Sequence, residues 1–168
     1  HLRVPRDVQH VLELILNENL GALNPKQREW LATAHEEVSQ HRRFLGALKS
    51  LVPRPARDDE VLPLKGVVKE VFGLVAPFAR RKQVALYDQY GAEPCLRGNY
   101  LMLAVTLLFL VDNAIKYTSA GGEVVVEVDA SNQWVRLSVD DTGCGVPVSE
   151  EPMLGFPGYR GANAYADD

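Results

Sequence analysis

Cysteine is scarce in this sequence, and neither sign of charge predominates strongly. The chain has two cysteines in 168 residues. These are too few for a disulfide framework, and no segment resembles a secretion signal, so we expect a reducing cytosol. The four histidines do not show the spacing with cysteine that is typical of a metal site. A net charge of −4 argues against a general nucleic-acid-binding protein.

The sequence does contain enough apolar residues for a core, and its first third has a helical pattern. Hydrophobic residues make up 46% of the 168 positions, which suits one or two small domains. We predict one helix over residues 2–20, a turn at 21–23 and a second helix over residues 25–51. Residues 24–27, Asn-Pro-Lys-Gln, are a strong helix start, because Asn suits the N-cap, Pro the first helical position and Gln the third.

The second predicted helix carries a heptad of mostly apolar side chains at alternating spacings of three and four. This is the pattern of a helix-bundle seam. Two helices cannot bury such a seam well by themselves, so we expect a homodimer that forms a four-helix bundle. The alternative is a seam that packs against the remainder of the same chain. His41 lies on the seam and is expected to be a packed histidine. The seam positions are Leu31, Ala34, Val38, His41, Leu45, Leu48 and Val52.

A strongly apolar segment, residues 101–117, predicts a buried helix that is too short and too polar at its C-terminal end to indicate a membrane span. Asn113, Lys116 and Tyr117 share one face of this helix. An Asn amide oxygen can bind Mg²⁺, a Lys ammonium can neutralise phosphate charge, and a Tyr ring can pack beside a nucleotide. The alternative is an ordinary helix end, at which Asn and Lys satisfy exposed carbonyls and residues 118–122 form a turn.

Two predicted strands, residues 123–128 and 134–139, follow this helix with a turn at 129–132. The second strand leads into Asp141, with Gly143 and Gly145 after it. A carboxylate at a strand end can accept a hydrogen bond from an exocyclic amine such as N6 of adenine, and the glycines allow close approach of the backbone or a positive φ. Such a motif alone is commonly a plain turn, so its position after the apolar helix and the strand pair is what favours nucleotide binding.

The two motifs, Asn113-Ala-Ile-Lys-Tyr and Asp141-Thr-Gly-Cys-Gly, lie about 28 residues apart. Together they resemble the N box and G1 box of the GHKL ATP-binding fold, which serves sensor histidine kinases, DNA gyrase B and Hsp90. The resemblance implies ATP and Mg²⁺ as cofactors, with Asn113 on the metal and Asp141 on adenine. Residues 156–161 resemble the F box of the mobile ATP lid. The nucleotide-binding residues implied in this way are Asn113, Lys116, Tyr117, Asp141, Gly143, Gly145, Arg160 and Gly161.

The first third resembles the dimerisation and histidine-phosphotransfer hairpin of bacterial sensor histidine kinases, on the evidence of residues 2–5 and 23–31. This implies an α+β fold: an antiparallel helical hairpin at 1–52, a linker at 53–60 and a two-layer α/β sandwich of the GHKL type at 61–168.

Within the sandwich, the resemblance implies strands at residues 61–64 and 84–89 and a helix at 68–78. Residues 96–101 would lead into the N-box helix.

Several positions depart from the family pattern. In the phospho-acceptor motif, His1 either occupies the position of the usual Glu or, with a one-residue deletion, is itself the acceptor. Val4 replaces a hydroxyl or amide residue of that motif. Phe109 stands four residues before Asn113, where a polar residue is usual. The sequence ends at Asp168 without a glycine-rich G2 box, so we expect a C-terminally incomplete ATP-binding domain.

The resemblance therefore predicts the core of a sensor histidine kinase that binds ATP, autophosphorylates a histidine and passes the phosphate to a response regulator aspartate. The implied partners are a second copy of the chain, a response regulator receiver domain and an upstream sensor domain. The implied location is the cytoplasm, either alone or within a longer membrane-anchored protein. The alternative is a catalytically degenerate pseudokinase or phosphotransfer scaffold that dimerises and docks a response regulator.

Overall fold

A computed structural model of the chain describes residues 8–17, 21–52, 58–91, 94–131, 133–154 and 156. Three of the predicted site residues, His1, Arg160 and Gly161, lie outside these described residues, as does Val4. The chain divides into two compact units, His1–Ser50 and Leu51–Asp168. The overall class is α+β, with helices alone in the first unit and a mixed α/β arrangement in the second.

The first unit is an antiparallel helical hairpin. Helix α1 is Val8–Leu16 and helix α2 is Pro25–Leu51. The predicted bounds of the second helix are confirmed, and its start is a reciprocal capping box: the Gln27 N–H donates to Asn24 Oδ1 at 2.9 Å, and the Asn24 N–H donates to Gln27 Oε1 at 3.0 Å.

The prediction for the first helix is wrong at its C-terminal end. It was expected to reach residue 20, but the helix ends at Leu16 and Asn17 is already a turn. Asn competes with the helix by bonding to nearby backbone in other conformations. The second half of α1 contacts α2 at two points: the Arg28 guanidinium donates to the main-chain carbonyl of Leu16 at 3.4 Å, and His35 Nε2 lies 3.5 Å from Glu13 Oε1.

A single copy of the hairpin leaves its seam poorly covered. The side chains of Leu45 and His41 are exposed, and the remaining apolar seam positions of α2 are at best half-buried. His41 is exposed in a single chain, so a packed His41 depends on the homodimer and stays a prediction. Val8 and Trp30 are exposed on the same unit, at 63% and 62%. Helix α1 has nine residues and α2 has 27, so α1 can cover only part of the seam.

The second unit is a two-layer α/β sandwich, as the resemblance implied. A three-stranded sheet has the order β2 (Ala85–Tyr90), β4 (Glu123–Ala130) and β5 (Val135–Asp141). Strand β2 is parallel to β4, and β4 is antiparallel to β5. Strands β1 (Glu60–Pro63) and β3 (Cys95–Gly98) form a separate antiparallel pair. Helices α3 and α4 pack on each other; α3 contacts β2, and α4 contacts β4 and β5. The elements are β1 Glu60–Pro63, α3 Leu64–Lys82, β2 Ala85–Tyr90, β3 Cys95–Gly98, α4 Tyr100–Tyr117, β4 Glu123–Ala130, β5 Val135–Asp141 and a short 3₁₀ helix, Glu151–Met153.

The core of the sandwich follows from the two periodicities of its elements. Val124, Val126 and Val128 alternate along β4 and are fully buried, as strand geometry requires of one sheet face. Helix α4 is apolar and long enough to cross a membrane by length and composition, but here it is a core helix. Its buried side chains are Tyr100, Ala104, Leu107, Leu108, Val111, Ala114 and Ile115.

Two elements of the sandwich differ from their predicted extents. Helix α3 begins at Leu64, so that residue is helical and not the end of the first strand. Leu64, Val67, Val68 and Val71 are all buried at helical spacing, which explains the early start. Strand β3, Cys95–Gly98, was expected only as a segment that leads into the next helix. Its strand conformation comes from pairing with β1, a partner more than 30 residues away.

Candidate functional site

The last turn of α4 presents the polar side chains that the sequence singled out. Asn113 is exposed, and among the described residues its amide has no hydrogen-bond partner. Lys116 and Tyr117 are half-buried, and Lys116 Nζ lies 5.2 Å from the centroid of the Tyr117 ring. Phe109 is 51% exposed one turn earlier on the same face as Asn113. This end of the helix therefore offers an amide, an ammonium and aromatic surface to solvent.

Other groups satisfy the carbonyls at this helix end. A helix leaves its last four carbonyls without intrahelical donors. Here Thr118 caps the Ala114 carbonyl with its hydroxyl at 2.7 Å and its N–H at 3.1 Å, and Lys82 Nζ donates to the carbonyls of Ile115, at 3.1 Å, and Lys116. The Asn113 and Lys116 side chains are thus not used as caps, and the alternative of an ordinary helix end that consumes them is wrong.

The carbonyl of Tyr117, the last of the four, links the two motifs. The Cys144 N–H donates to the Tyr117 carbonyl at 3.2 Å. Gly143 lies at the point of closest approach: a Cβ atom there would collide with the Tyr117 carbonyl and lie 2.7 Å from Asp141 Oδ1. Glycine is required at 143 because backbone from the other motif occupies the space of a side chain. The loop and the helix end are therefore joined main chain to main chain.

Asp141 is the last residue of β5 and is exposed. Its Oδ1 accepts the Gly143 N–H at 2.9 Å, which folds the loop back over the strand end. Among the described residues, no donor reaches the second carboxylate oxygen. Gly145 has φ +64°, in the left-handed region that favours glycine. The two glycines thus serve different purposes, since 143 needs space and 145 needs a backbone conformation.

Three residues that hold the site together were not identified from the sequence. Thr142 makes two hydrogen bonds to Glu123, the first residue of β4. Its N–H donates to the Glu123 carbonyl at 3.1 Å, and its hydroxyl accepts the Glu123 N–H at 2.9 Å. Gly122 fits tightly between the side chains of Thr118 and Thr142. Lys82 reaches α4 from the end of α3. The only sequence signal for Lys82 is a basic last turn on α3, Arg80 to Lys82.

The donor set fits a magnesium–nucleotide ligand. An exposed carboxylate oxygen can accept from an adenine amine, the Asn113 amide oxygen can bind a hard cation, and the Lys116 ammonium can neutralise phosphate. Mg²⁺ is commonly held by one or two protein oxygens together with substrate phosphates, so a single Asn ligand suffices.

Comparison with known proteins finds an ATPase family and histidine kinases that are similar to this chain. Residues 98–167 match the family of histidine kinase-, DNA gyrase B-, and HSP90-like ATPases. The chain is 29% identical over 147 residues to the circadian input-output histidine kinase CikA of Thermosynechococcus vestitus. This alignment covers 83% of this chain and 20% of CikA. The chain is therefore similar to histidine kinases, and its match to the ATPase family lies in residues 98–167. It spans about one fifth of the length of that relative.

Solved structures of histidine kinases have a similar fold. The nucleotide-free catalytic domain of histidine kinase ThkA aligns with a TM-score of 0.59 at 20% identity, covering 61% of this chain and 71% of that chain. ThkA in complex with response regulator protein TrrA aligns with a TM-score of 0.63 at 16% identity, covering 90% of this chain and 48% of that chain. All of the predicted nucleotide-binding residues fall within the family match at 98–167, whereas Lys82 and the hairpin precede it.

Proposed function

We propose that this chain is the kinase core of a longer sensor histidine kinase, which binds ATP with Mg²⁺ and phosphorylates a histidine. The single observation that carries the proposal is the main-chain link from Cys144 to Tyr117, because it joins the N-box helix to the G1 loop while their polar side chains stay available. The similarity of the chain to histidine kinases supports the same conclusion. ATP is cytoplasmic, so the core works in the cytoplasm.

Each site residue has a proposed part. The unengaged oxygen of Asp141 accepts the adenine amine, while Gly143 and Gly145 let the loop backbone lie against the base. Asn113 holds Mg²⁺, which when bound supplies positive charge to the phosphates. Lys116 neutralises phosphate charge, and the Tyr117 ring covers one side of the nucleotide. Arg160 and Gly161, outside the described residues, complete the phosphate end in this proposal.

The proposed reaction transfers the γ-phosphoryl group. A neutral imidazole nitrogen attacks the γ-phosphorus in line; a P–N bond forms, the bond to the β–γ bridging oxygen breaks, and ADP leaves. Catalysis consists mainly of positioning and charge stabilisation. His1, in the hairpin at 1–52, is the proposed acceptor. The linker at 53–60 and the ATP-binding domain at 61–168 complete the proposed domain order.

Three partners are proposed for this chain. The exposed seam of α2, with Leu45 half exposed, supports a homodimer in which two hairpins form a four-helix bundle. The complex of ThkA with the response regulator TrrA supports a receiver domain as the recipient of the phosphoryl group. An upstream sensor domain is proposed because the chain spans a fifth of its relative CikA.

The scaffold without catalysis is not favoured. Phe109 removes a polar group near Asn113, but Asn113, Lys116 and Asp141 remain exposed or half-exposed and assembled. A module without a nucleotide has no evident use for that set.

The decisive test is calorimetric titration with ATP and Mg²⁺. Asp141→Asn keeps an oxygen that can accept the Gly143 N–H but replaces the oxygen that would accept the adenine amine. We expect saturable heat with the wild type, and affinity reduced about a hundredfold in the variant, in line with the loss of a hydrogen bond to a charged acceptor. Asp140→Ala, at the neighbouring exposed carboxylate, is the control and should bind as the wild type does.

A radiolabel assay then tests transfer. Incubation with γ-labelled ATP should yield acid-labile, base-stable label on the wild type and none on Asp141→Asn. If the wild type produces no heat with ATP, the kinase proposal is overturned for this chain.

A further inference from the structure

Lys82 is the last residue of α3, and its side chain ends at the C-terminus of a different helix. Its Nζ donates to the carbonyls of Ile115, at 3.1 Å, and Lys116. These two carbonyls belong to the last turn of α4, the turn that carries Asn113 and Lys116. The contact spans 33 residues of sequence. It engages main-chain carbonyls only and does not use the side chains of Asn113 and Lys116.

The chemistry of this contact suits stabilisation of the C-terminal end of α4. The last carbonyls of a helix carry partial negative charge and have no intrahelical donors. An ammonium with three donors can satisfy two of them and interact favourably with the helix dipole. The other two carbonyls, of Ala114 and Tyr117, are held by Thr118 and by the Cys144 N–H of the G1 loop. Lys82 therefore binds the middle two of the four terminal carbonyls of α4. Thr118 binds the carbonyl before them, and the G1 loop binds the carbonyl after them.

We infer that Lys82 is a positioning residue for the nucleotide site, an inference that rests on the proposed ATP binding. Without its ammonium, the carbonyls of Ile115 and Lys116 would have only water as donor, and the last turn of α4 would fray. Fraying displaces the Lys116 side chain together with its own carbonyl. It also weakens the link from Tyr117 to Cys144, on which the placement of Asp141 depends.

Two substitutions separate this role from general stability. Lys82→Met keeps the length and the apolar stem but removes every donor, whereas Lys82→Arg keeps a charged donor. Lys69→Met is the matched control, because Lys69 lies exposed on the same helix and makes no side-chain hydrogen bond with the described residues. Two quantities are measured on each full chain well below its melting temperature: the dissociation constant for ATP with Mg²⁺, and hydrogen exchange of the Thr118 and Cys144 amides without nucleotide.

We expect faster exchange of both amides in Lys82→Met than in the wild type. We also expect an ATP affinity about tenfold weaker, since small misplacements of binding groups have large effects. Lys82→Arg should restore most of both, and Lys69→Met should change neither. Unchanged exchange in Lys82→Met, or faster exchange with unchanged affinity, overturns the inference. If the wild type binds no ATP, the proposed function and the nucleotide half of the inference both fail, while the exchange rates still decide whether Lys82 holds the helix end.

Discussion

The hairpin and the sandwich differ in how far one chain buries their apolar side chains. In the sandwich, β4 and α4 enclose their apolar faces within one chain, and Val124, Val126 and Leu107 are almost fully buried. In the hairpin, Val8, Trp30 and Leu45 stay more than half exposed. The sandwich is thus able to gain its hydrophobic stabilisation alone, whereas the hairpin would gain most of it only in the proposed homodimer. Stability of the first unit should therefore depend on protein concentration, and that of the second should not.

One tryptophan in each unit makes this difference measurable. Trp30 lies in α2 and Trp134 immediately before β5, and the chain has no other tryptophan. Trp30→Phe therefore leaves a fluorescent probe of the sandwich alone, and Trp134→Phe leaves a probe of the hairpin alone.

The largest expected effect is in the core of the sandwich. Leu107→Ala should lower the free energy of unfolding of the second unit by about 3 kcal/mol, because Leu107 is 1% exposed and its removal leaves a cavity. The measurement is urea unfolding in the Trp30→Phe background. Leu110→Ala on the same helix, where the side chain is 45% exposed, is the control and should cost less than about 1 kcal/mol. Equal losses for the two variants would contradict the assigned core.

A smaller effect compares two helix caps of the same type. Asn24→Ala removes the side-chain acceptor for Gln27 in the hairpin, and Asn99→Ala removes the acceptor for Met102 in the sandwich. Each should cost about 1 kcal/mol. The loss at Asn24 should appear as a lower melting temperature that recovers as protein concentration rises, since dimerisation offsets it. The loss at Asn99 should be the same at every concentration. A concentration-independent loss at Asn24 would count against the dimer.

The smallest predicted effect is a stabilisation. Gln83 caps α3 with φ +61°, a left-handed conformation that costs a residue with a Cβ atom about 1 kcal/mol. Gln83→Gly removes that cost but adds freedom to the unfolded chain, so a net gain of about 0.5 kcal/mol is expected. Thermal unfolding followed at Trp134 checks it. A lower melting temperature would mean that the Gln83 side chain makes a favourable interaction beyond its role as a cap.

Local signals predicted the elements whose hydrogen bonds lie close along the chain. The start of α2 could be predicted because Asn24 and Gln27 bond to each other three residues apart. The strand pair β4 and β5 could be predicted from alternation and a short turn. Strand β3 could not, because its four residues take their conformation from β1. The C-terminal limit of α1 was missed because the apolar pattern was extended into a polar stretch that begins at Asn17.

The candidate site divides in the same way. The groups themselves could be predicted from local patterns: Asn113 and Lys116 on one helix face, because helical spacing is a local property, and Asp141 at a strand end with glycines after it. The contacts that hold these groups in place come from packing between distant segments. The contacts from Lys82 to α4, from Cys144 to Tyr117 and from Thr142 to Glu123 join residues 19 to 34 positions apart. Such bonds form only when packing of α3, α4 and the sheet has brought distant backbone groups together, and no local pattern encodes that.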